Sequence, residues 1–125
     1  MSNKFGIYIH IPFCTTICPF CNFNVYKAQT EDYNDLVALL LSELQENYKM
    51  FSEKKLVSIH FGGGTPSLLS PKLINKILEQ INKLFFISPQ CEIAIEINPY
   101  DSEVDNPKNL YEVGINRLSI GIQSF

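Results

Sequence analysis

Residues 56–84 read LVSIHFGGGTPSLLSPKLINKILEQINKL and contain one complete strand–turn–helix unit. The apolar run from Leu56 to Phe61 predicts a strand, which the three glycines end. Ser70 and Pro71 then supply a capping hydroxyl and a first-turn proline, which together favour the start of a helix. The apolar positions that follow recur at helical spacing: Leu73, Ile74, Ile77, Leu78, Ile81 and Leu84. A unit of this kind is the repeating element of α/β folds.

The same alternation of strand and helix patterns continues on both sides of this unit. The predicted strands are 5–11, 56–61, 92–97 and 116–120, and the predicted helices are 31–51, with Thr30 as N-cap, 71–84 and 107–113. The order β-α-β-α-β-α-β predicts a parallel sheet with helices outside it, and both a doubly wound sheet and a barrel fit. Because no crossover helix follows the last strand, we expect residues 1–125 to be one truncated domain, incomplete at its C-terminus.

Composition restricts the class of protein. The 125 residues are 46% hydrophobic and carry a formal net charge of −3, with an isoelectric point near 5.3. An acidic chain offers no electrostatic footprint for a polyanion, so we expect no nucleic-acid partner. The sequence shows neither an apolar run of spanning length nor the apolar region of a signal peptide, so we expect no membrane span and a cytoplasmic location.

Three of the four cysteines lie close together, at Cys14, Cys18 and Cys21. In a reducing compartment such a cluster is typical of metal ligands rather than of disulfides. Structural zinc sites and most iron–sulfur clusters have four protein ligands, so three thiolates leave one position open, as in a metal that does chemistry. A structural zinc site completed by His10 is the alternative. The remaining cysteine, Cys91, is predicted to be a small buried strand residue.

Polar residues and glycines follow the predicted strands, where α/β proteins bind their ligands. Gly62, Gly63 and Gly64 permit positive φ angles and a close approach of backbone to a ligand, although they fit neither a P-loop nor a dinucleotide motif. Glu96 could bind a ribose hydroxyl or an ammonium, or be a solvated carboxylate at a strand end. His60 is expected to pack or to form a hydrogen bond rather than to bind a metal.

The cysteine spacing Cys14-x3-Cys18-x2-Cys21, with Phe20 before the last cysteine, resembles the signature of radical S-adenosylmethionine proteins. In that family three thiolates hold three irons of a [4Fe-4S] cluster, and S-adenosylmethionine chelates the fourth. The resemblance therefore supplies an occupant for the open position. An electron from the reduced cluster cleaves the sulfonium to a 5′-deoxyadenosyl radical, so the chemistry belongs to the cofactors, and we assign no catalytic side chain.

Four motifs narrow the resemblance to the oxygen-independent coproporphyrinogen III oxidase-like family, which includes haem chaperones. They are YIHIPFC (8–14), FGGGTPS (61–67), EINP (96–99) and GINRLSIGIQSF (114–125). The resemblance covers nearly the whole chain and implies the N-terminal part of a partial TIM barrel. It also implies that Tyr8 lines the S-adenosylmethionine site and that Gly63, Gly64 and Thr65 contact this ligand through backbone and hydroxyl groups. Glu96 and Gln123 are implied to complete the polar contacts to S-adenosylmethionine or to a second copy of it.

One position separates the two branches of that family. The decarboxylating enzyme's pattern has a fourth cysteine two residues after the third, where this chain has Phe23, and it begins with an N-terminal extension. The resemblance therefore favours a haem chaperone, with haem as a further ligand and an electron donor and a haem-acceptor protein as partners. The alternatives are an enzyme that converts coproporphyrinogen III to protoporphyrinogen IX, and an inactive truncated fragment. Whether the protein is an enzyme stays open at this point.

Overall fold

The computed structural model describes residues 3–14, 26–27, 30–63, 69–97 and 107–120. In chain order its elements are β1 (Lys4–Ile11), β2 (Phe13–Cys14), β3 (Tyr26–Lys27), α1 (Thr30–Asn47), a 3-10 turn (Tyr48–Phe51), β4 (Lys55–Gly63), α2 (Pro71–Leu84), β5 (Phe86–Ile97), α3 (Pro107–Glu112) and β6 (Arg117–Ile120). No helix within these ranges is long and apolar enough to cross a bilayer.

The main sheet has the order β1-β4-β5-β6, and each neighbouring pair is parallel. Strands separated by one helix are therefore neighbours in the sheet, and the order does not reverse along the chain. The prediction of an α/β fold with a parallel sheet is confirmed.

The hydrophobic core lies on one face of this sheet. Its buried members come from strands β1, β4 and β5, from all three helices and from the adjoining loops: Ile9, Ile11, Val37, Leu56, Ile59, Phe61, Leu69, Ile74, Ile77, Ile81, Cys91, Ile95, Leu110 and Ile115. A doubly wound sheet needs helices on both of its faces. Since the described helices contribute to one core on one face, the arrangement is that of a barrel wall, with the other face turned inward.

Helix α2 is positioned by the signals that the sequence predicted. The Ser70 side chain accepts a hydrogen bond of 3.3 Å from the backbone N–H of Leu73, and Pro71 occupies the first turn. Ile74, Ile77 and Ile81 are buried on one side of the helix, and the chain turns extended at Phe85. The helix thereby covers the core face of the sheet between β4 and β5 in the chain.

The strands are longer than the apolar pattern indicated. Strand β4 runs on to Gly63 and so includes two of the three glycines. Strand β5 begins at Phe86 rather than at residue 92: Leu56 pairs with Ile87 and Ser58 with Glu92, so β5 bulges outward between these pairs. Pro89 lies in this bulge, where its missing N–H is tolerated. Because the bulge interrupts the regular alternation of side chains, the sequence pattern does not predict the first half of β5.

In the middle of β5, just after the bulge, the strand is joined to the residue that precedes β6 by hydrogen bonds of the Asn116 side chain. The backbone N–H of Ile93 donates to Asn116 Oδ1 at 2.8 Å, and Asn116 Nδ2 donates to the Cys91 carbonyl at 3.0 Å. The predicted end of α3 at Gly114 is confirmed, since that glycine has a φ of 119° and its N–H donates to the Tyr111 carbonyl. These contacts set the register of the last described strand.

Strands β2 and β3 form a small parallel pair that the sequence did not predict. Phe13 pairs with Tyr26 and Cys14 with Lys27. The pair joins the two described ends of the cysteine-containing segment next to the end of β1. The predictions for Cys18, Cys21, Phe23, Gly64, Thr65 and Gln123 lie outside the described residues.

Candidate functional site

The sheet face opposite the core carries a polar surface. Tyr8 of β1, His60 of β4, Ala94 of β5 and Arg117 of β6 are consecutive partners across the sheet, so they form one row. One step nearer the carboxyl ends, His10 pairs with Gly62, and Glu96 pairs with Ser119. Because successive side chains alternate between the faces of a strand, both rows point away from the core. We call this surface the inner face.

The Tyr8 ring lies across β4 and packs against two of its residues. It stacks on the His60 ring, with centroids 5.5 Å apart and planes inclined by 12°. It also covers Gly62: a Cβ there would stand 2.3 Å from the Tyr8 Oη and 2.8 Å from the ring. The ring of Tyr8 therefore occupies the space that a side chain at position 62 would need. Tyr8 is still 60% exposed, because the inner face is open in the described part of the chain.

Glu96 and His60 form a hydrogen-bonded pair on this face. His60 Nε2 lies 3.1 Å from Glu96 Oε1, and the two side chains are 36% and 40% exposed. Partial burial of the phenol, and then the negative charge of Glu96, raise the pKa of Tyr8 above its ordinary value. A phenol is protonated at neutral pH even at its ordinary pKa, so Tyr8 can donate a hydrogen bond. Tyr8, His60 and Glu96 form one connected polar group.

Gly63 leaves no room for a side chain between β4 and β1 at the carboxyl edge of the sheet. It has a φ of 113°, and a Cβ there would stand 2.4 Å from the Ile11 carbonyl oxygen and 2.9 Å from the Ile11 nitrogen. Both the backbone angle and the space thus require glycine. The predicted positive φ within the glycine triplet is confirmed at this residue.

The first cysteine lies at the same edge of the sheet. Cys14 ends β2, three residues after Ile11, and Ile11 pairs with Gly63. Cys14, Gly63 and Glu96 therefore follow or end three strands that are neighbours in space, as the strand-end reasoning predicted for parallel sheets. The structure describes three of the nine predicted site residues in side-chain or glycine detail, Tyr8, Gly63 and Glu96.

Two residues of this site were missed from the sequence alone. His60 forms a hydrogen bond and packs against a ring, as the sequence analysis expects, but the sequence analysis does not decide which face of the sheet it occupies. Its position between Ile59 and Phe61, which are both buried, is the alternation signal that assigns it to the inner face. Gly62 was read only as part of a glycine turn. Its role as the platform of Tyr8 depends on the β1–β4 register, which a single sequence does not contain.

Two further features of β5 concern charge: the thiol of Cys91 and the ion pair between Glu92 and Arg117. Cys91 is buried in β5, as predicted, and burial together with the nearby Glu92 raises the pKa of its thiol. Arg117 forms an ion pair with Glu92 at the exposed amino-end side of the inner face. In the Arg117–Glu92 pair the guanidinium neutralises the negative charge of the Glu92 carboxylate. The second carboxylate on the inner face, that of Glu96, lies nearer the carboxyl edge of the sheet.

Comparison with known proteins places these features in a family. The sequence profile described as the radical SAM superfamily matches residues 8–125. The heme chaperone HemW of Haemophilus influenzae is 42% identical over 126 residues, which cover 96% of this chain and 33% of that protein. The oxygen-independent coproporphyrinogen III oxidase of Salmonella typhimurium is 32% identical over 121 residues, covering 96% of this chain and 26% of that one.

A solved structure shows the same arrangement of elements. Coproporphyrinogen III oxidase (HemN) from Escherichia coli, described as a radical SAM enzyme, superposes with a TM-score of 0.88 at 30% identity, over 99% of this chain and 29% of that chain. The chain thus spans about a third or less of the length of the proteins it matches. Its α/β architecture corresponds to part of that enzyme's barrel. The chain belongs to the radical S-adenosylmethionine superfamily.

Proposed function

We propose that this chain is the cofactor-binding part of a haem-handling radical S-adenosylmethionine protein. Membership of the superfamily implies a [4Fe-4S] cluster and S-adenosylmethionine. In this proposal Cys14, Cys18 and Cys21 hold three of the four irons, which leaves the fourth iron to S-adenosylmethionine. The observation that carries the proposal is the convergence of Cys14, Gly63 and Glu96 at one edge of the parallel sheet.

The described residues at this edge suit a ligand with an ammonium group and a sugar. The Glu96 carboxylate accepts hydrogen bonds and attracts a cation. The phenol of Tyr8, like an ordinary tyrosine, is protonated at neutral pH and can donate to a ligand oxygen. Gly63 has no side chain, which lets the Ile11 backbone lie against it and leaves the carboxyl edge without a side chain at this position. The donor types therefore fit S-adenosylmethionine.

Each proposed site residue then has a separate role in holding the cofactors. Glu96 binds the ammonium group of S-adenosylmethionine. Tyr8 lines the S-adenosylmethionine site on the inner face. Gly63, Gly64 and Thr65 contribute backbone and hydroxyl contacts, and Gln123 contributes its amide. When bound, the cluster supplies an electron for reductive cleavage of the sulfonium. The side chains orient the ligand so that this cleavage can occur.

We further propose that the protein is a haem chaperone that binds haem and delivers it to an acceptor protein. Two features support this branch: Phe23 replaces the fourth cysteine of the decarboxylating enzyme's pattern, and several relatives at 37–42% identity are named heme chaperone HemW. An electron-donor protein is the other partner. The cytoplasm is its proposed location, because clustered cysteines of this kind are typical of metal ligands in a reducing compartment.

The second candidate is an enzyme that oxidatively decarboxylates coproporphyrinogen III to protoporphyrinogen IX. The superposition on coproporphyrinogen III oxidase (HemN), together with relatives of that name at 32% identity, favours this candidate. Both candidates require the same cluster and S-adenosylmethionine. They differ in whether the porphyrin is cargo or substrate.

The cluster ligands can be tested by cysteine replacement with a matched control. The intact protein is reconstituted anaerobically with iron and sulfide, and bound iron is counted. We expect about four irons per chain in the parent protein and loss of the cluster in Cys14→Ala, Cys18→Ala and Cys21→Ala. Cys91→Ala, the control, should retain the full iron content because Cys91 is buried in β5. Full iron in any of the three triad variants would contradict the assignment.

A second experiment separates the chaperone from the decarboxylase. The reconstituted intact protein is incubated anaerobically with haem, and separately with coproporphyrinogen III, S-adenosylmethionine and a reductant. A chaperone is expected to bind haem stably and to release it to an acceptor, without forming protoporphyrinogen IX. Robust S-adenosylmethionine-dependent formation of protoporphyrinogen IX would refute the chaperone proposal and support the enzyme.

A further inference from the structure

We propose that His60 is a positioning residue that holds the Glu96 carboxylate ready for the cationic group of the ligand. The inference rests on the proposed function, in which Glu96 contacts S-adenosylmethionine. It adds a residue outside the cysteine segment and the glycine triplet. The contact that motivates it is the 3.1 Å separation of His60 Nε2 and Glu96 Oε1 between neighbouring strands.

The direction of this hydrogen bond does not depend on the protonation state of the histidine. An ionised carboxylate only accepts hydrogen bonds, so Nε2 must carry the proton in both the neutral and the cationic ring. A bond to Oε1 leaves the acceptor capacity of Oε2 for a ligand. A carboxylate that is held through one oxygen loses less side-chain freedom when it binds an ammonium through the other.

The His60 ring is itself held in place from its other side. Its plane lies nearly parallel to the Tyr8 ring, at a centroid distance of 5.5 Å, and Tyr8 in turn fills the space above Gly62. The ring is therefore fixed between an aromatic face and a carboxylate. Partial exposure of both His60 and Glu96, at 36% and 40%, leaves the pair accessible from the inner face.

The same geometry separates positioning from two other roles for a histidine. A metal-binding role would need further ligands beside the ring, but the described residues contain no group of three or more His, Cys, Asp or Glu side chains that could hold a metal ion. A role in the hydrophobic core is excluded, because the buried neighbours Ile59 and Phe61 face the other way. The location on the inner face and the bond to Glu96 are what positioning of the carboxylate requires.

Two substitutions at His60 distinguish its hydrogen bond from its packing. His60→Phe keeps a flat ring against Tyr8 and removes the donor, whereas His60→Gln keeps an N–H donor and removes the ring. The readout is equilibrium binding of S-adenosylmethionine to the intact, anaerobically reconstituted protein, measured by titration calorimetry. Iron content and the thermal unfolding midpoint are measured for every variant. Should His60→Phe not fold, His60→Leu tests the same loss of the donor.

We expect His60→Phe to weaken S-adenosylmethionine binding by about tenfold, with iron content unchanged, because a charge-assisted hydrogen bond is lost. His60→Gln is expected to bind within about twofold of the parent protein. Glu96→Gln supplies the other arm of a double-mutant cycle. In the Glu96→Gln background, His60→Phe should cause no further loss, since the carboxylate it orients is gone.

The outcomes separate failure of this inference from failure of the proposed function. If Glu96→Gln weakens binding and His60→Phe does not, the positioning role is refuted while the proposed site stands. If Glu96→Gln binds as tightly as the parent protein, the proposed contact of Glu96 fails, and the positioning role fails with it. Equal losses in His60→Phe and His60→Gln would indicate packing alone and would also refute the inference.

Discussion

Replacement of Gly63 by alanine is the sharpest test of the geometry at the carboxyl edge of the sheet. Gly63 has a φ of 113°, and its added Cβ would stand 2.4 Å from the Ile11 carbonyl oxygen. The first feature strains any residue with a side chain, and the second forces two paired strands apart. Because the obstacle is backbone rather than the end of a flexible side chain, little local adjustment can relieve it.

The expected cost has two parts. A non-glycine residue in a sparsely populated backbone region costs about 1–3 kcal/mol. Forcing an extra carbon into occupied space adds about 1–3 kcal/mol. Gly63→Ala should therefore destabilise the fold by about 2–6 kcal/mol, a large fraction of the stability of an ordinary domain, which is about 5–15 kcal/mol.

Gly114 offers a matched control for the backbone term. Its φ is 119°, close to that of Gly63, but an added Cβ would meet only Leu78 Cδ1, at an ordinary contact distance of 3.5 Å. Gly114→Ala should therefore carry the conformational cost alone, about 1–3 kcal/mol. The difference between the two variants measures the overlap with Ile11.

The assay is urea unfolding of the intact apo protein, followed by far-ultraviolet circular dichroism. We expect Gly63→Ala to unfold at lower urea than Gly114→Ala, with a difference in free energy of unfolding of at least about 1 kcal/mol. If the two variants lose the same stability, the close approach of β4 to Ile11 is wrong. The edge would then have room for a side chain.

Three further predictions concern local features of the fold and the site. Ser70→Ala should lower the free energy of unfolding by about 1 kcal/mol, since the N-cap bond of α2 is lost, as urea unfolding can measure. By the same assay, Ile77→Ala should cost about 2–5 kcal/mol because it leaves a cavity in the core, whereas the exposed Lys76→Ala should be nearly neutral. Alkaline titration of tyrosine absorbance, with Tyr8→Phe as the reference, should show Tyr8 ionising above pH 10, and Glu96→Gln should lower that pKa because a negative charge is removed.

Each of these has a clear contrary outcome. An unchanged unfolding midpoint in Ser70→Ala would mean that the side chain does not cap the helix. Equal effects of Ile77→Ala and Lys76→Ala would place Ile77 outside the core. A Tyr8 pKa that does not move in Glu96→Gln would mean that the carboxylate and the phenol do not interact across the inner face.

The parts of the fold that were predictable from sequence depend on local signals. Helix α2 begins at Pro71, as the Ser70–Pro71 pair predicts, because capping acts within one turn of the chain. The start of β5 was not predictable, because it depends on Ile87 pairing with Leu56 across a bulge. That pairing is a tertiary contact with no counterpart in the period of the sequence.

The site follows the same division. Glu96 and Gly63 were identified because they lie where a strand ends, and parallel strands end at one edge. His60 was not assigned to the site, because its partner Glu96 is 36 residues away and their contact depends on the register of β4 with β5. The sequence likewise does not predict the pairing of β2 with β3, since each of these strands has only two residues and so shows no periodicity.

Electron paramagnetic resonance of the reduced, reconstituted protein, with and without S-adenosylmethionine, tests the central proposal most directly. Three cysteine ligands leave one iron open, so the account predicts that the cluster spectrum changes when S-adenosylmethionine is added. The change should be absent in Glu96→Gln at ligand concentrations that saturate only the parent protein. A [4Fe-4S] spectrum that S-adenosylmethionine leaves unaltered at saturating concentration would contradict the assignment of an open iron.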